Sequence, residues 1–232
     1  EAGLIPMTEP ETEVRMDVPS GFIRSFAKIE NGKVISVRFQ NVPSFVQELN
    51  AEVNLPKIGR IKYDLAFGGA FYAFVDVAQV GLDCSHKSYN SLIETGMQIK
   101  RAIMDTVKMN HPTEPEMNYL YGVIFTGPPK DSMNHSRNVC IFAEGQLDRS
   151  PTGTGVSARA AIHYAKAEIE EGETLIIESI LGSNFGVKVV KTTTLGNYIS
   201  VIPEVSGNAF IIGKNTFWIN PEDPLKDGFI LS

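Results

Sequence analysis

Apolar and polar residues alternate along the first third of the chain in runs short enough to be strands. Val14 to Asp17, Gly21 to Glu30 and Lys33 to Phe39 read as consecutive strands, separated by Pro19-Ser20-Gly21 and by Asn31-Gly32. Asn-Gly between alternating runs is a strong hairpin signal, because both residues accept the positive φ of a two-residue turn. Antiparallel sheet is expected here. Pro43 to Leu55 continues in extended or irregular form, and Ile58 to Phe67 alternates again before Gly68-Gly69-Ala70-Phe71-Tyr72-Ala73-Phe74-Val75-Asp76. The paired glycines fit a bulge between two buried strands.

The period then changes. Between Asn90 and Asn110, Leu92, Ile93, Met97, Ile99, Ile103, Met104 and Val107 recur at helical spacing, which predicts an amphipathic helix ended by Asn110-His111-Pro112. Leu120 to Thr126 and Asn138 to Phe142 read as buried strands flanking an exposed loop at Gly127-Pro128-Pro129-Lys130-Asp131. Leu175 to Ser179, Gly186 to Thr194 and Tyr198 to Glu204 are β-rich, with Gly196-Asn197 as a tight turn and further strand expected over Gly207 to Trp218. Between these groups a second helix, about Gly155 to Glu170 and stopped by Gly172, is small or apolar almost all round. Such a helix belongs at the centre of a fold.

The start of that helix draws the chemistry together. Asp148-Arg149-Ser150-Pro151-Thr152-Gly153-Thr154-Gly155 joins a strand, a glycine-rich turn and a helix N-terminus. The first turn of a helix carries unpaired backbone N–H groups and the positive end of the dipole, and glycine lets a ligand come close to them. A carboxylate or phosphate fits such a place. The alternative is a helix capped by Thr152 or Ser150, satisfying its own backbone.

Composition narrows the function classes. The 232 residues are 43% hydrophobic, enough for a substantial core in one large or two small domains. Net charge is −6 and the basic residues are scattered, which argues against nucleic acid; no apolar run approaches the length of a membrane span. Cys84 and Cys140 are too few for a disulfide framework and read as free core cysteines in a reducing cytoplasm. His/Cys/carboxylate spacing offers no metal site, and His163 lies about 16 Å of helix rise beyond Thr152, too far to be its base. The opening Glu1-Ala2-Gly3-Leu4-Ile5-Pro6 has no initiator Met and reads like a helix end with Gly3 at the stop, so the chain is expected to begin in mid-element.

Asp148 to Gly155, followed by a small-residue helix, resembles the second active-site motif of the proline racemase family, which includes hydroxyproline epimerases and trans-3-hydroxy-L-proline dehydratases. Asp64-Leu65-Ala66-Phe67-Gly68-Gly69-Ala70-Phe71-Tyr72-Ala73, Ser179 to Phe185 and the tail Asp223 to Leu231 are similar to further stretches of the family. Beside the glycine bulge, Phe71 and Tyr72 are then placed to shape the pocket. In racemases and epimerases the fifth motif residue is a cysteine, one of two acid/base groups on opposite faces of the substrate α-carbon; here it is Thr152, as in the dehydratase branch. A thiol of pKa about 8.5 exchanges a proton near neutrality, and an aliphatic hydroxyl does not without an activating base. The first acid/base cysteine of the family stands in a Met-Cys-Gly-His motif that these 232 residues lack.

The resemblance implies an α/β (α+β) fold of diaminopimelate-epimerase-like type: two pseudo-symmetric halves, each a mixed sheet wrapped around a central helix, with the site between them. Residues 1–66 are then the remainder of the first half, 67–210 the second half, and 211–232 a return toward the first. It implies a small imino acid as partner, no cofactor and a homodimer; no nucleic acid, no membrane and a cytoplasmic enzyme are what the composition leads one to expect. Thr152 is the catalytic position; Gly153 and Thr154 offer backbone N–H groups to the substrate carboxylate, Asp148 pairs with the ring ammonium, and Phe142 faces the ring, a core role being its alternative. The expected reaction is dehydration of trans-3-hydroxy-L-proline to 1-pyrroline-2-carboxylate. An epimerase or racemase, or a non-catalytic imino-acid-binding protein, are the rival readings.

Overall fold

The computed structural model describes residues 3–56 and 58–229; the helix end expected before Gly3 and the last residues of the tail lie outside them. The chain opens with three antiparallel strands, β1 (Glu11–Val18), β2 (Gly21–Glu30) and β3 (Lys33–Gln40). Asn31 and Gly32 turn the second hairpin with φ of 52° and 69°, as an Asn-Gly turn requires. The elements that follow are β4 (Ser44–Leu55), β5 (Gly59–Phe67), β6 (Phe71–Asp76), α1 (Tyr89–Thr106), β7 (Leu120–Gly127), β8 (Ser136–Phe142), β9 (Gln146–Leu147), α2 (Gly153–Ala165), β10 (Thr174–Glu178), β11 (Asn184–Leu195) and β12 (Tyr198–Gly207).

Eight of these strands close on themselves. The order β12-β11-β10-β8-β7-β6-β5-β4 returns to β12 through Phe45↔Ser200 and Ser44↔Val201, making a barrel around α2. Pairing is parallel between β6 and β7 and between β8 and β10, and antiparallel elsewhere, so the sheet is mixed as expected. β3 pairs with β12 and carries β2 and β1 outward as an extension. The barrel takes in β4 and β5, which precede residue 67.

Side-chain alternation explains why the central strands read as continuous apolar runs. On β6, Phe71, Ala73 and Val75 face outward to the layer that holds α1, while Tyr72 and Phe74 face inward to α2; Val123 and Phe125 against Ile124 on β7, and Val139 and Ile141 against Cys140 on β8, repeat the pattern. Both faces are buried, so neither needs polar residues. Inside, α2 presents Val156, Ala160 and Ala161 to one side of the barrel and Ala158 and Ile162 to the other. Its small residues are what the closed ring admits.

Several boundaries differ from the periodicity. α1 ends at Thr106 rather than Asn110, because the Gln47 side chain takes up the Lys108 carbonyl and the Asn110 N–H in extended chain. α2 ends at Ala165 rather than Glu170: Ala167 turns left-handed at φ 55°, and the reversal delivers Ile169 into the core beside Leu175 and Val187. Pro43 to Leu55, left open as extended or irregular, is mostly the long strand β4, whose alternation is broken by register shifts between Val46 and Ala51. The strand expected over residues 207–218 is absent among the described residues. β12 stops at Gly207, opposite Val37 of β3, and Phe210, Ile212, Phe217 and Trp218 beyond it stand exposed. No described helix is long and apolar enough to cross a membrane.

Candidate active site

The stretch between β9 and α2 is organised around one carboxylate. Asp148 Oδ1 accepts the Ser150 N–H at 2.8 Å, Asp148 Oδ2 accepts the Thr152 hydroxyl at 2.8 Å, and Ser150 Oγ accepts the Thr152 N–H at 3.0 Å. These three bonds hold Thr152, a β-branched residue, at φ 71°. That conformation costs a threonine roughly 1–3 kcal/mol and persists only where its surroundings fix it.

With both hydroxyls committed inside the turn, neither Thr152 nor Ser150 caps α2. The first backbone bond of the helix is Val156 N–H to Thr152 O at 2.8 Å. Among the described residues the N–H groups of Gly153, Thr154 and Gly155 therefore have no partner. They form a nest for an anion, reinforced by the dipole of α2.

The β5–β6 turn presses on this nest. A Cβ on Gly68 would run into the backbone of Thr154 and Ala158, and Gly69, at φ 107°, lies against the Thr154 methyl. The glycine pair is thus a tight turn that permits close approach to α2, rather than a bulge within a strand. Asn41 locks the arrangement by donating to Gly68 O at 2.7 Å and to Ser157 Oγ at 2.9 Å.

A cavity of about 510 Å³ opens over the first turn of α2, and Asp148, Thr152, Gly153, Thr154 and Phe142 all line it. A volume of this order suits a small organic ligand. One wall is aromatic: Tyr121 stacks on Phe142 with centroids 5.5 Å apart and planes at 8°, and meets Tyr72 edge-on at 5.6 Å. The Tyr72 hydroxyl shares a 2.7 Å hydrogen bond with Thr154 Oγ1, and burial raises its pKa well above that of a free phenol.

The match to known proteins follows this geometry. The family model described as "Proline racemase" matches residues 1–230. The chain belongs to the proline racemase family. It is 47% identical over 231 residues to the trans-3-hydroxy-L-proline dehydratase of Colwellia psychrerythraea, covering all of this chain and 65% of that protein, so the chain spans less than two thirds of that relative. Over the same number of residues it is 39% identical to the proline racemase of Clostridioides difficile, covering all of this chain and 69% of that enzyme. The crystal structure of a hydroxyproline epimerase from Agrobacterium vitis with bound trans-4-OH-L-proline superimposes with a TM-score of 0.92 at 36% identity, covering 99% of this chain and 66% of that one.

Of the two thiols of this proline racemase family member, Cys140 lines the cavity and Cys84 lies in the outer core, and neither is a base near neutral pH. Burial pushes Cys84 up to about 12, and burial raises the Cys140 thiol as well. Phe71, placed near a pocket by the sequence, faces the outer core instead, because it stands one position from Tyr72 on β6. Tyr121 and Ser20 line the cavity without having been singled out by the sequence. Tyr121 was hidden by a register irregularity. Phe71 pairs with Leu120 and Tyr72 with Gly122, so an extra residue on β7 turns Tyr121 inward where simple alternation would send it out.

Proposed function

We propose that the protein dehydrates trans-3-hydroxy-L-proline to 1-pyrroline-2-carboxylate. The observation that carries this reading is Thr152: the group at the fifth motif position is a hydroxyl whose proton is already given to Asp148, across 2.8 Å. A site with a proton-exchanging group on only one face removes the α-proton and does not return one to the other face. The name of the Colwellia relative supports the same reaction.

In this reading the substrate carboxylate lies on the N–H groups of Gly153 and Thr154, at the positive end of α2. The ring ammonium pairs with Asp148, whose oxygens each keep a lone pair beyond the bonds made inside the turn. The ring lies against the Tyr121–Phe142 stack. The thiolate of the family's Met-Cys-Gly-His motif takes the α-proton, the 3-hydroxyl leaves as water, and the resulting enamine tautomerises to the cyclic imine. Fixed N–H dipoles stabilise the carboxylate charge as the α-carbon gains electron density, so no cofactor is required. The enzyme is taken as a cytoplasmic homodimer.

Racemisation or epimerisation is the second reading, favoured by the names of the Clostridioides and Agrobacterium relatives. A Thr152→Cys variant separates the two. Gain of α-deuterium exchange with inversion on a proline-type substrate is expected; a wild-type enzyme that already inverts its substrate would contradict the dehydratase reading.

A further inference from the structure

Dehydration needs a proton donor as well as a base. The carbon–oxygen bond at C3 breaks with its electron pair on oxygen, and hydroxide is a poor leaving group unless protonated as it departs. Thr152, the residue nearest in sequence logic to that task, has no proton to offer because its hydroxyl donates to Asp148. Tyr72 is tied to Thr154 Oγ1. Tyr119 stands at the rim, 47% exposed, and Ser20 is an alcohol, several orders of magnitude weaker as an acid than a phenol.

Tyr121 remains. Its ring is fixed by stacking on Phe142 and by the edge contact with Tyr72, and it lines the same cavity as Asp148 and Thr152. Among the described residues its hydroxyl has no hydrogen-bond partner. Burial raises its pKa, so it stays protonated through the neutral range. The irregularity in the β6–β7 register exists at this residue and aims it inward, at the cost of one position of regular pairing. Bulges beside active sites commonly re-aim a side chain in this way.

We propose that Tyr121 is the acid that protonates the departing 3-hydroxyl, an inference that rests on the dehydratase reading above. The balance is complete. The base takes the α-proton, the Cα–H pair becomes the new double bond, the C3–O pair stays on oxygen, the Tyr121 Oη proton joins that oxygen to give water, and solvent reprotonates the phenolate. Transfer from a phenol to hydroxide is strongly downhill, because water is a far weaker acid than a phenol.

The test is Tyr121→Phe in the full-length enzyme, assayed with trans-3-hydroxy-L-proline and with its 3-fluoro analogue, whose fluoride leaves without a proton. The expected result is a fall in kcat of about 100-fold on the hydroxy substrate with KM nearly unchanged, and fluoride release within about threefold of wild type. Unchanged kcat on the hydroxy substrate overturns the assignment. An equal fall on both substrates also overturns it, since Tyr121 would then be positioning the ring or supporting the fold. Absence of 1-pyrroline-2-carboxylate from the wild-type enzyme overturns the dehydratase reading itself, and the assignment with it.

Discussion

The Thr152 hydroxyl donates to Asp148 Oδ2 at 2.8 Å, and the same residue holds the backbone at φ 71° where α2 begins. One hydrogen bond thus aims the carboxylate and fixes the turn that leaves the helix N-terminus open. Replacing Asp148 with Ala removes two acceptors of the turn and the partner proposed for the ring ammonium. A loss of one charged hydrogen bond, about 1.5–3 kcal/mol, corresponds to a fall of about 10- to 150-fold in kcat/KM. Steady-state kinetics check it, and wild-type values would remove Asp148 from the site.

Gly68→Ala is expected to damage both stability and substrate binding. The added methyl meets backbone of Thr154 and Ala158 rather than a flexible side chain, so the β5–β6 turn and the first turn of α2 must separate. Overpacking of this kind costs about 1–3 kcal/mol. Urea denaturation should show a lowered midpoint, and KM should rise because the anion nest moves.

How much was legible beforehand depends on the range of the interaction. The Asn31-Gly32 hairpin, the alternation of β5, the buried apolar runs of β7 and β8 and the all-round apolar face of α2 are local patterns, and each appears close to where the sequence placed it. Asp148, Thr152, Gly153 and Thr154 are contiguous and, with Phe142, line one cavity; the roles given to Asp148 and Phe142 rest on the family resemblance. Barrel closure was not legible: it rests on pairing between Phe45 and Ser200, far apart in the chain, and nothing in either segment names the other. The inward turn of Tyr121 was hidden because Leu120-Tyr121-Gly122 looks regular until its partner strand shows the extra residue. The exposed apolar run over residues 207–218 has the composition of a strand, but among the described residues no pairing continues past Gly207.

His163 sets one limb of the stability profile. Burial and the Arg159 guanidinium, whose Nε donates to His163 Nε2 at 3.2 Å, lower it from 6.5 to about 4, and Nδ1 is left to face Glu168 at 2.6 Å. The folded protein refuses a proton that the unfolded chain accepts, so stability is complete above pH 6.5 and declines as pH falls toward 4. His163→Gln should show a smaller drop in urea midpoint between pH 7 and pH 5 than wild type. Equal drops would mean that His163 does not carry this dependence.

Glu178 governs a lower window. Burial alone would raise its pKa, but the Asn134 amide, the Lys130 and Asp131 N–H groups and the Arg137 guanidinium outweigh it and bring it from 4.5 to about 2. Its contribution is fully present above pH 4.5 and is lost as pH falls through 2. Glu178→Gln should be less stable than wild type at neutral pH and should lose little more between pH 4.5 and 2. Acid titration followed by circular dichroism reads both.

The most direct measurement is proton NMR of the full-length protein with trans-3-hydroxy-L-proline in heavy water. One-base dehydration at a site built on Thr152 predicts accumulation of 1-pyrroline-2-carboxylate with no epimer of the substrate. Accumulation of an epimer would mean that a second proton donor works on the face where Thr152 stands, and would contradict the account.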